Sequence, residues 1–277
     1  MLAQIFTRSP KTRTYKCRSL AEASAKRFGV DARHNGIFGF DQETFGRSKV
    51  ILVGAGGING EIGEGLVRKG IGALHIFDGD TVEMTNLNRQ RFTHRDLFKN
   101  KAFCLAKNLR EEGFLGSTVT GHSLYIQEYE WKLADLSANL VICGVDNDQT
   151  RVWCSRYCFD HSLPAIFTAV SRDADQGYVF VQEPGGACFG CLFPDAVGNE
   201  ITPCPGVPAV LDILKIVGGL VLYASDTLLM QRRRDWNYRL VRLAGYVGDE
   251  KRWIPSQFDC DICRGKGRDH GWIGPAG

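Results

Sequence analysis

An α/β fold is predicted by two features of the 277-residue chain. Strand-like and helix-like runs alternate along its first two thirds, and the strands are continuous apolar runs rather than alternating ones. Strands of that kind are covered on both faces, which calls for a Rossmann-like, mainly parallel sheet with helices on both faces. A third feature lies beyond Val170, where two CxxC pairs bracket segments that read as antiparallel strands. It predicts a C-terminal extension stapled by zinc.

The elements follow in order. An amphipathic helix from about Leu20 to Phe28 leads into "ARHNGIFGFDQETFGRSK", a loop with a short helix. Then "KVILVG" (49–54) is a buried strand, 57–69 a helix, "ALHIFD" (73–78) a second strand and 101–112 a helix. "STVTGHS" is a third strand, "NLVICG" (139–144) a fourth, 148–160 a helix and "PAIFTAV" (164–170) a fifth strand. "GYVFVQ", a CxxC, a proline-rich loop and a long apolar helix within 207–230 come next. "NYRLVRLAGY" and "KRWIPSQ" then read as paired strands, and without repeats the last third is an extension of the same domain.

Composition narrows the function classes. Thirty-four Lys and Arg against 31 Asp and Glu give a formal charge of +3, too small to demand a nucleic acid or an anionic membrane. The basic cluster from Arg8 to Arg18 reads as a solvated terminal arm that could touch phosphates. No signal-peptide core is visible at the N-terminus, so a cytoplasmic protein is expected. The apolar run 207–230 carries Asp212, Lys215 and Asp226, each costly in lipid, and is read as a core or interface helix. The ten cysteines are expected to be packed thiols or metal ligands, with Cys154 and Cys158 one helical turn apart on a packed face.

"GAGGING" joins the first strand to the first helix, where backbone amides and the helix dipole make an anion site. Gly54, Gly56 and Gly57 suit close approach of phosphates, although Asn59 stands where the dinucleotide fingerprint has its third glycine. Asp78 ends the second strand, where such folds place the acid for a ribose, with Asp80 beside it. The bland alternative is a tight turn with a capping acid. Asn86, Asn88, Arg89, Gln90 and Arg91 then crowd one loop, which suits phosphate oxygens better than a dehydrogenase would need. Lys101 starts the next helix, and Asp146 in "CGVDN" sits at the carboxyl edge of the sheet as a candidate Mg2+ ligand. ATP is thus favoured over NAD, with a surface ion-pair set the competing account of Arg89, Lys101 and Asp146.

"CFGC" (188–191) and "CDIC" (260–263) supply four thiolates, the ligand set of a closed Zn2+ site: Cys188, Cys191, Cys260 and Cys263. Unrelated turns or redox pairs are the alternatives. Cys204, in "TPCPGVP", lies in a Pro/Gly loop and is either a nucleophile or a passive thiol. The six histidines show no metal-binding spacing.

These motifs together resemble the E1-like adenylating enzymes, the group of the thiamine and molybdopterin sulfur-carrier activators and the ubiquitin-activating enzymes. The resemblance rests on "VGAGGI", "FDGDTVEMTNLNRQRF", Lys101, "GVDN" and "CFGCLFP" with the distant "CDIC", and it runs from about Arg33 to Cys263. It implies a basic arm and helix over 1–32 and an adenylation domain over 33–277, with a nucleotide-binding half to about 170 and a zinc-bearing, carrier-binding half to about 265. It implies that Asp78 holds the ribose of ATP, that Asn86, Arg89, Gln90 and Lys101 contact phosphates, and that Asp146 binds Mg2+. Arg33 resembles an arginine that reaches into the partner's site of a symmetric homodimer. Cys204 stands where such enzymes often carry a thiol that takes a thioester or persulfide.

The implied activity is ATP-dependent adenylation of the C-terminal glycine of a small ubiquitin-like or sulfur-carrier protein, with a conjugating enzyme or sulfur donor downstream. Adenylation of a peptide or tRNA-borne carboxylate is the alternative on the same fold. An NAD-dependent dehydrogenase and a non-catalytic zinc-binding interaction module are more distant ones.

Overall fold

The computed structural model describes residues 11–20, 29–34, 36–197, 209–245 and 248–264. Its elements, in chain order, are β1 (Thr12–Lys16), α1 (Gln42–Arg47), β2 (Lys49–Val53), α2 (Gly57–Arg68), β3 (Ala73–Phe77), α3 (Lys101–Leu109), β4 (Thr118–His122) and α4 (Glu130–Leu133). They continue with β5 (Leu140–Cys143), α5 (Asp148–Asp160), β6 (Ala165–Val170), β7 (Gln176–Gln182), α6 (Phe189–Leu192), α7 (Leu211–Leu229), β8 (Tyr238–Arg242) and β9 (Glu250–Arg252).

All nine described strands form one sheet in the order β1-β4-β3-β2-β5-β6-β7-β8-β9. The expectation of a mainly parallel sheet holds for its centre, where β4, β3, β2, β5 and β6 run parallel. On both flanks the pairing is antiparallel, so the whole sheet is mixed. One flank is the expected C-terminal extension. The other corrects the solvated-arm reading: residues 12–16 pair with β4 as an edge strand. Its Lys and Arg side chains stay exposed, as suits an edge.

The buried strands explain the helices on both faces. Val50, Leu52, Leu74, Ile76, Leu140 and Ile142 point into one core with α2, α3 and α7. Ile51, Val53, Phe77, Val141, Cys143 and Phe167 point into a second core with α5 and α6. Successive residues of each strand thus serve opposite cores, which is why none of these positions tolerates a polar side chain. Cys154 and Cys158 pack as expected into the second core. The long apolar helix runs over Leu211–Leu229, inside the expected window 207–230; residues 198–208, and residues 21–28 with most of the expected amphipathic helix, lie outside the described part. No helix among the described residues is long and apolar enough to cross a membrane.

The register brings three turns together. Val53 is level with Phe77 on one side and with Cys143 on the other, so Gly54, Asp78 and Gly144 meet at one edge of the sheet. The chain leaves β2 towards β3 and leaves the neighbouring β5 towards β6, so the connections part between these two strands, and in open α/β sheets ligands bind at that point.

Two histidines buttress β3 and β4. His75 Nδ1 lies 3.2 Å from His122 Nε2, and the His122 ring stacks on Phe77 at 4.1 Å. Burial pulls both imidazoles down to about 4 from the usual 6.5. Below pH 6.5 the unfolded imidazoles take up protons that the folded ones refuse, so this stability is complete above pH 6.5 and is lost as pH falls towards 4. Each histidine contributes a slope of up to about 1.4 kcal/mol per pH unit in that window. Urea unfolding of His122→Gln should therefore lose less stability between pH 6.5 and 5 than the parent chain; equal slopes would refute the assignment.

Candidate functional site: a nucleotide-sized cavity at the strand ends

A cavity of about 850 Å³ opens at this edge. Its lining includes Gly54, Gly56, Gly57, Asp78, Asp80, Asn86, Arg89, Gln90, Lys101 and Asp146, side chains that the sequence singled out from four separate segments.

The glycine loop is held from both sides. Gly54 has φ +92°, a left-handed turn that directs the chain from β2 into α2. The Asp78 carboxylate accepts the amide of Ala55 at 2.7 Å and that of Asp80 at 2.8 Å. Burial pushes its carboxyl upward, and Lys101 with the two amides pulls the other way. Those amides orient the acid.

Asn100 couples the acid to the cation that follows it. Its Oδ1 accepts the Phe103 amide at 3.1 Å and caps α3, while its Nδ2 donates to the carbonyl of Asp78 at 2.8 Å. Lys101 is thereby the first residue of α3, with its Nζ 3.0 Å from Asp80. Asp80 also accepts the Tyr125 hydroxyl at 2.8 Å. Partial burial works against its charge, but Tyr125 and Lys101 hold its carboxyl below the ordinary range.

The crossover between β3 and α3 divides its polar residues. Arg89 lines the cavity and donates to the Thr85 carbonyl at 2.6 Å, and Asn86 lines it while bonding the Glu83 amide at 2.9 Å. Arg91 corrects the sequence reading. It turns away from the cavity to Glu61 (3.3 Å), Glu64 and Glu112 (3.7 Å), and so braces α2. Asn88 is exposed and bonds Arg89 at 3.0 Å, outside the cavity lining.

Asp146 has no hydrogen-bond or ion-pair partner among the described residues, which leaves its carboxylate free for a cation. Its loop is anchored by Arg151, whose Nη2 donates to the Val145 carbonyl at 2.6 Å and whose Nη1 bonds Asp148 at 2.7 Å.

The two CxxC pairs meet as well. Cys188, Cys191, Cys260 and Cys263 are buried, with sulfurs all within 4.8 Å of one another. The separations of 3.7, 3.3 and 3.6 Å between individual sulfurs are far from a disulfide bond. A tetrahedral ion with Zn–S bonds of about 2.3 Å needs sulfurs about 3.8 Å apart, so the cluster fits a metal site with four cysteine ligands.

The match to the family model described as ThiF family covers residues 6–252. The chain belongs to the ThiF family. The resemblance read from its motifs is thus borne out. It is 27% identical over 217 residues to "Adenylyltransferase and sulfurtransferase MOCS3" of Xenopus laevis, covering 73% of this chain and 48% of that protein. To the "Nedd8-activating enzyme E1 catalytic subunit" of Drosophila melanogaster it is 35% identical over 191 residues, covering 62% of this chain and 42% of that one. This ThiF-family chain spans about half the length of the curated relatives it matches. Its fold is similar to that of E. coli MccB in a crystal structure with AMPCPP and MccA, with a TM-score of 0.71 at 19% identity over 89% of this chain and 77% of that one.

One expected residue stands apart from the cavity, and another cannot be set against it. Arg33 is exposed and does not line it. Cys204 lies outside the described residues. Conversely, Tyr125, Gln127, Thr150, Arg151 and Arg172 line the cavity without having been singled out. Each follows the carboxyl end of a central strand by a few residues, and that position was their only signal.

Asn59 explains the departure from the glycine fingerprint. It is fully buried, and its Nδ2 donates to the carbonyls of Val53 at 2.7 Å and Gly54 at 2.8 Å, tying the end of β2 to α2 rather than capping the helix. A Cβ on Gly144 would come within 2.4 Å of Asn59 Oδ1, so the side chain occupies the space between the two turns. Asn59→Gly, which restores the fingerprint, should lower unfolding stability by about 1–3 kcal/mol in urea titration. A neutral result would refute the bridging role.

Proposed function

We propose that the chain adenylates a carboxylate with ATP, and that the carboxylate is the C-terminal glycine of a small ubiquitin-like or sulfur-carrier protein. The observation that carries this reading is the gathering of the amide loop, Asp78, Arg89, Lys101 and the unpartnered Asp146 around one cavity. In it, Asp78 holds the ribose, and the Gly56 and Gly57 amides at the start of α2 receive phosphate. Asn86, Arg89, Gln90 and Lys101 contact the remaining phosphate oxygens.

The chemistry is in-line displacement at the α-phosphorus. A carboxylate oxygen attacks, the bond to the bridging oxygen breaks, and pyrophosphate leaves with that electron pair, so an acyl-adenylate remains. The nucleophile is already ionised and needs no base. The obstacle is charge, since an anion approaches a polyanion, and fixed cations are the remedy. Mg2+ held by Asp146 would add positive charge beside the phosphates. Lys101 is poised to exchange Asp80 for phosphate, and because Asp80 is half exposed their ion pair is worth about 1 kcal/mol or less. Arg33, exposed and outside its own cavity, suits a group offered to the partner of a homodimer. The peptide-carboxylate reading also has support, because MccB is similar in fold and was crystallised with MccA.

ATP–pyrophosphate exchange that depends on a glycine-terminated carrier is the test. Asp146→Ala and Lys101→Ala should each lower it about 100-fold or more. Exchange supported by no carrier or peptide, with Asp146→Ala indistinguishable from the parent, would end the proposal. Cys204 is the candidate thiol to displace AMP from the adenylate: Cys204→Ala should still form the adenylate but no thiol-labile adduct, and an undiminished adduct would exclude it.

The four-thiol cluster is proposed to hold Zn2+. Metal analysis should find about one Zn2+ per chain, and Cys260→Ser should lower both the metal content and, by about 5–10 °C, the thermal midpoint. Metal-free chain with unchanged stability would count against it.

A further inference from the structure

Arg89 has little to aim it from outside its own loop. Its guanidinium donates to the Thr85 carbonyl at 2.6 Å and to Asn88 Oδ1 at 3.0 Å, and to no other element among the described residues. The amides of Arg89 and Gln90 likewise return to the Asn86 carbonyl, at 3.2 and 2.9 Å. Bonds within a loop fix its shape but not its place, so the direction of Arg89 depends on what seats the loop as a whole.

Two glycines of α2 provide the seat. A Cβ on Gly57 would come within 3.1 Å of the Arg89 carbonyl oxygen, and one on Gly60 within 3.3 Å of Arg91 Cγ. The two glycines are three residues apart on one face of the helix, so the chain from 89 to 91 lies along that face. The last glycine of "GAGGING", which the dinucleotide fingerprint does not ask for, thus makes room for the stem of Arg91.

The guanidinium of Arg91 then reaches Glu61 and Glu64 on the same helix and Glu112 beyond α3. Its side chain is 25% exposed and that of Glu61 12%, so these charges are shielded from water more than an ordinary surface pair. Arg68 shares Glu64 and Glu112 and closes the network. From the other side, Asn108 of α3 donates to the Arg91 carbonyl at 3.0 Å. Phe92 is buried beside it, but an apolar contact has no preferred direction, whereas a planar fork among fixed carboxylates does.

We infer that Arg91 is a positioning residue: anchored to α2 and Glu112, it sets where the backbone of residue 89 lies and so where the Arg89 guanidinium meets phosphate. The inference rests on the nucleotide-binding reading above and adds to it a residue that touches no ligand and acts through Arg89.

A double-mutant cycle on the full chain tests it, with ATP affinity measured by calorimetry, carrier-dependent pyrophosphate exchange alongside and urea unfolding of every variant. Arg91→Met, which keeps the stem and removes the fork, should weaken ATP binding about tenfold in the parent chain. In an Arg89→Ala background the same substitution should weaken it less than about twofold further, because no guanidinium is left to aim. A purely structural role would lower affinity by the same factor in both backgrounds, in step with the loss of urea stability. Arg91→Lys keeps a charge beside the glutamates and serves should the methionine variant not fold; it should show the same coupling on a smaller loss of about threefold. Equal losses in the two backgrounds, or undiminished ATP affinity in the folded Arg91 variants, overturn the inference alone when exchange is intact. A coupled loss of ATP affinity without exchange on any carrier upholds the positioning role and overturns the adenylation proposal instead.

Discussion

The structure depends on how the chain closes the carboxyl end of β2. The chain leaves β2 towards β3 on one side and leaves its neighbour β5 towards β6 on the other, so the turns after β2 and β5 part and leave a gap. A gap between strand ends exposes backbone groups that the sheet no longer pairs, and each one buried without a partner costs about 1–3 kcal/mol. Two side chains meet that cost. Asn59 binds the carbonyls of Val53 and Gly54, and Asp78 binds the amides of Ala55 and Asp80. The same bonds that satisfy the backbone leave the amides at the start of α2 facing the cavity.

Electrostatic order follows from that frame. Arg89, Lys101, Arg151 and Arg172 line the cavity against Asp78, Asp80, Glu83 and Asp146, a balanced set. What distinguishes them is how firmly each is held. Arg151 spends its guanidinium on Val145 and Asp148, so it shapes the Asp146 turn instead of greeting a ligand. Lys101 has an exchangeable partner and Asp146 has none among the described residues. The groups left free to meet a charged ligand are therefore a small subset of those present, and they sit on helix starts and strand ends that do not need to reorganise.

The strands and helices of the central sheet were legible because burial on two faces leaves a plain mark in the sequence: "VILV" and "LVIC" carry no polar residue. β1 was not legible, since "TRTYK" is an edge strand with one wet face and a high content of charge, which reads equally well as an arm. Arg91 was assigned to the ligand because sequence gives a charge but not its partner; the three glutamates that claim it come from α2 and the turn after α3. Gln127 and Thr150 carry no motif. Their significance lies in a 3.0 Å contact between residues 23 apart in the chain, which only the fold brings about.

The cysteine cluster connects to this cavity through a buried relay and not through direct contact. Cys188 immediately precedes α6, whose first amide, that of Phe189, is shared between Ser155 Oγ and Gln182 Oε1, both at 3.1 Å. Ser155 donates in turn to Gln182 at 2.6 Å, and Gln182 Nε2 returns a bond to the Ser155 carbonyl at 2.9 Å. This closed network fastens the middle of α5 to the end of β7 and to the first cysteine pair. The front of the same helix carries Asn147, Thr150 and Arg151, which line the cavity. A helix only 13 residues long is stiff over that distance, so whatever fixes its middle fixes the angle at which its first turn meets the cavity. Joining the second cysteine pair to the first therefore does more than secure the end of the chain: it sets the far support of the helix from which Thr150 and the Asp146 turn are positioned.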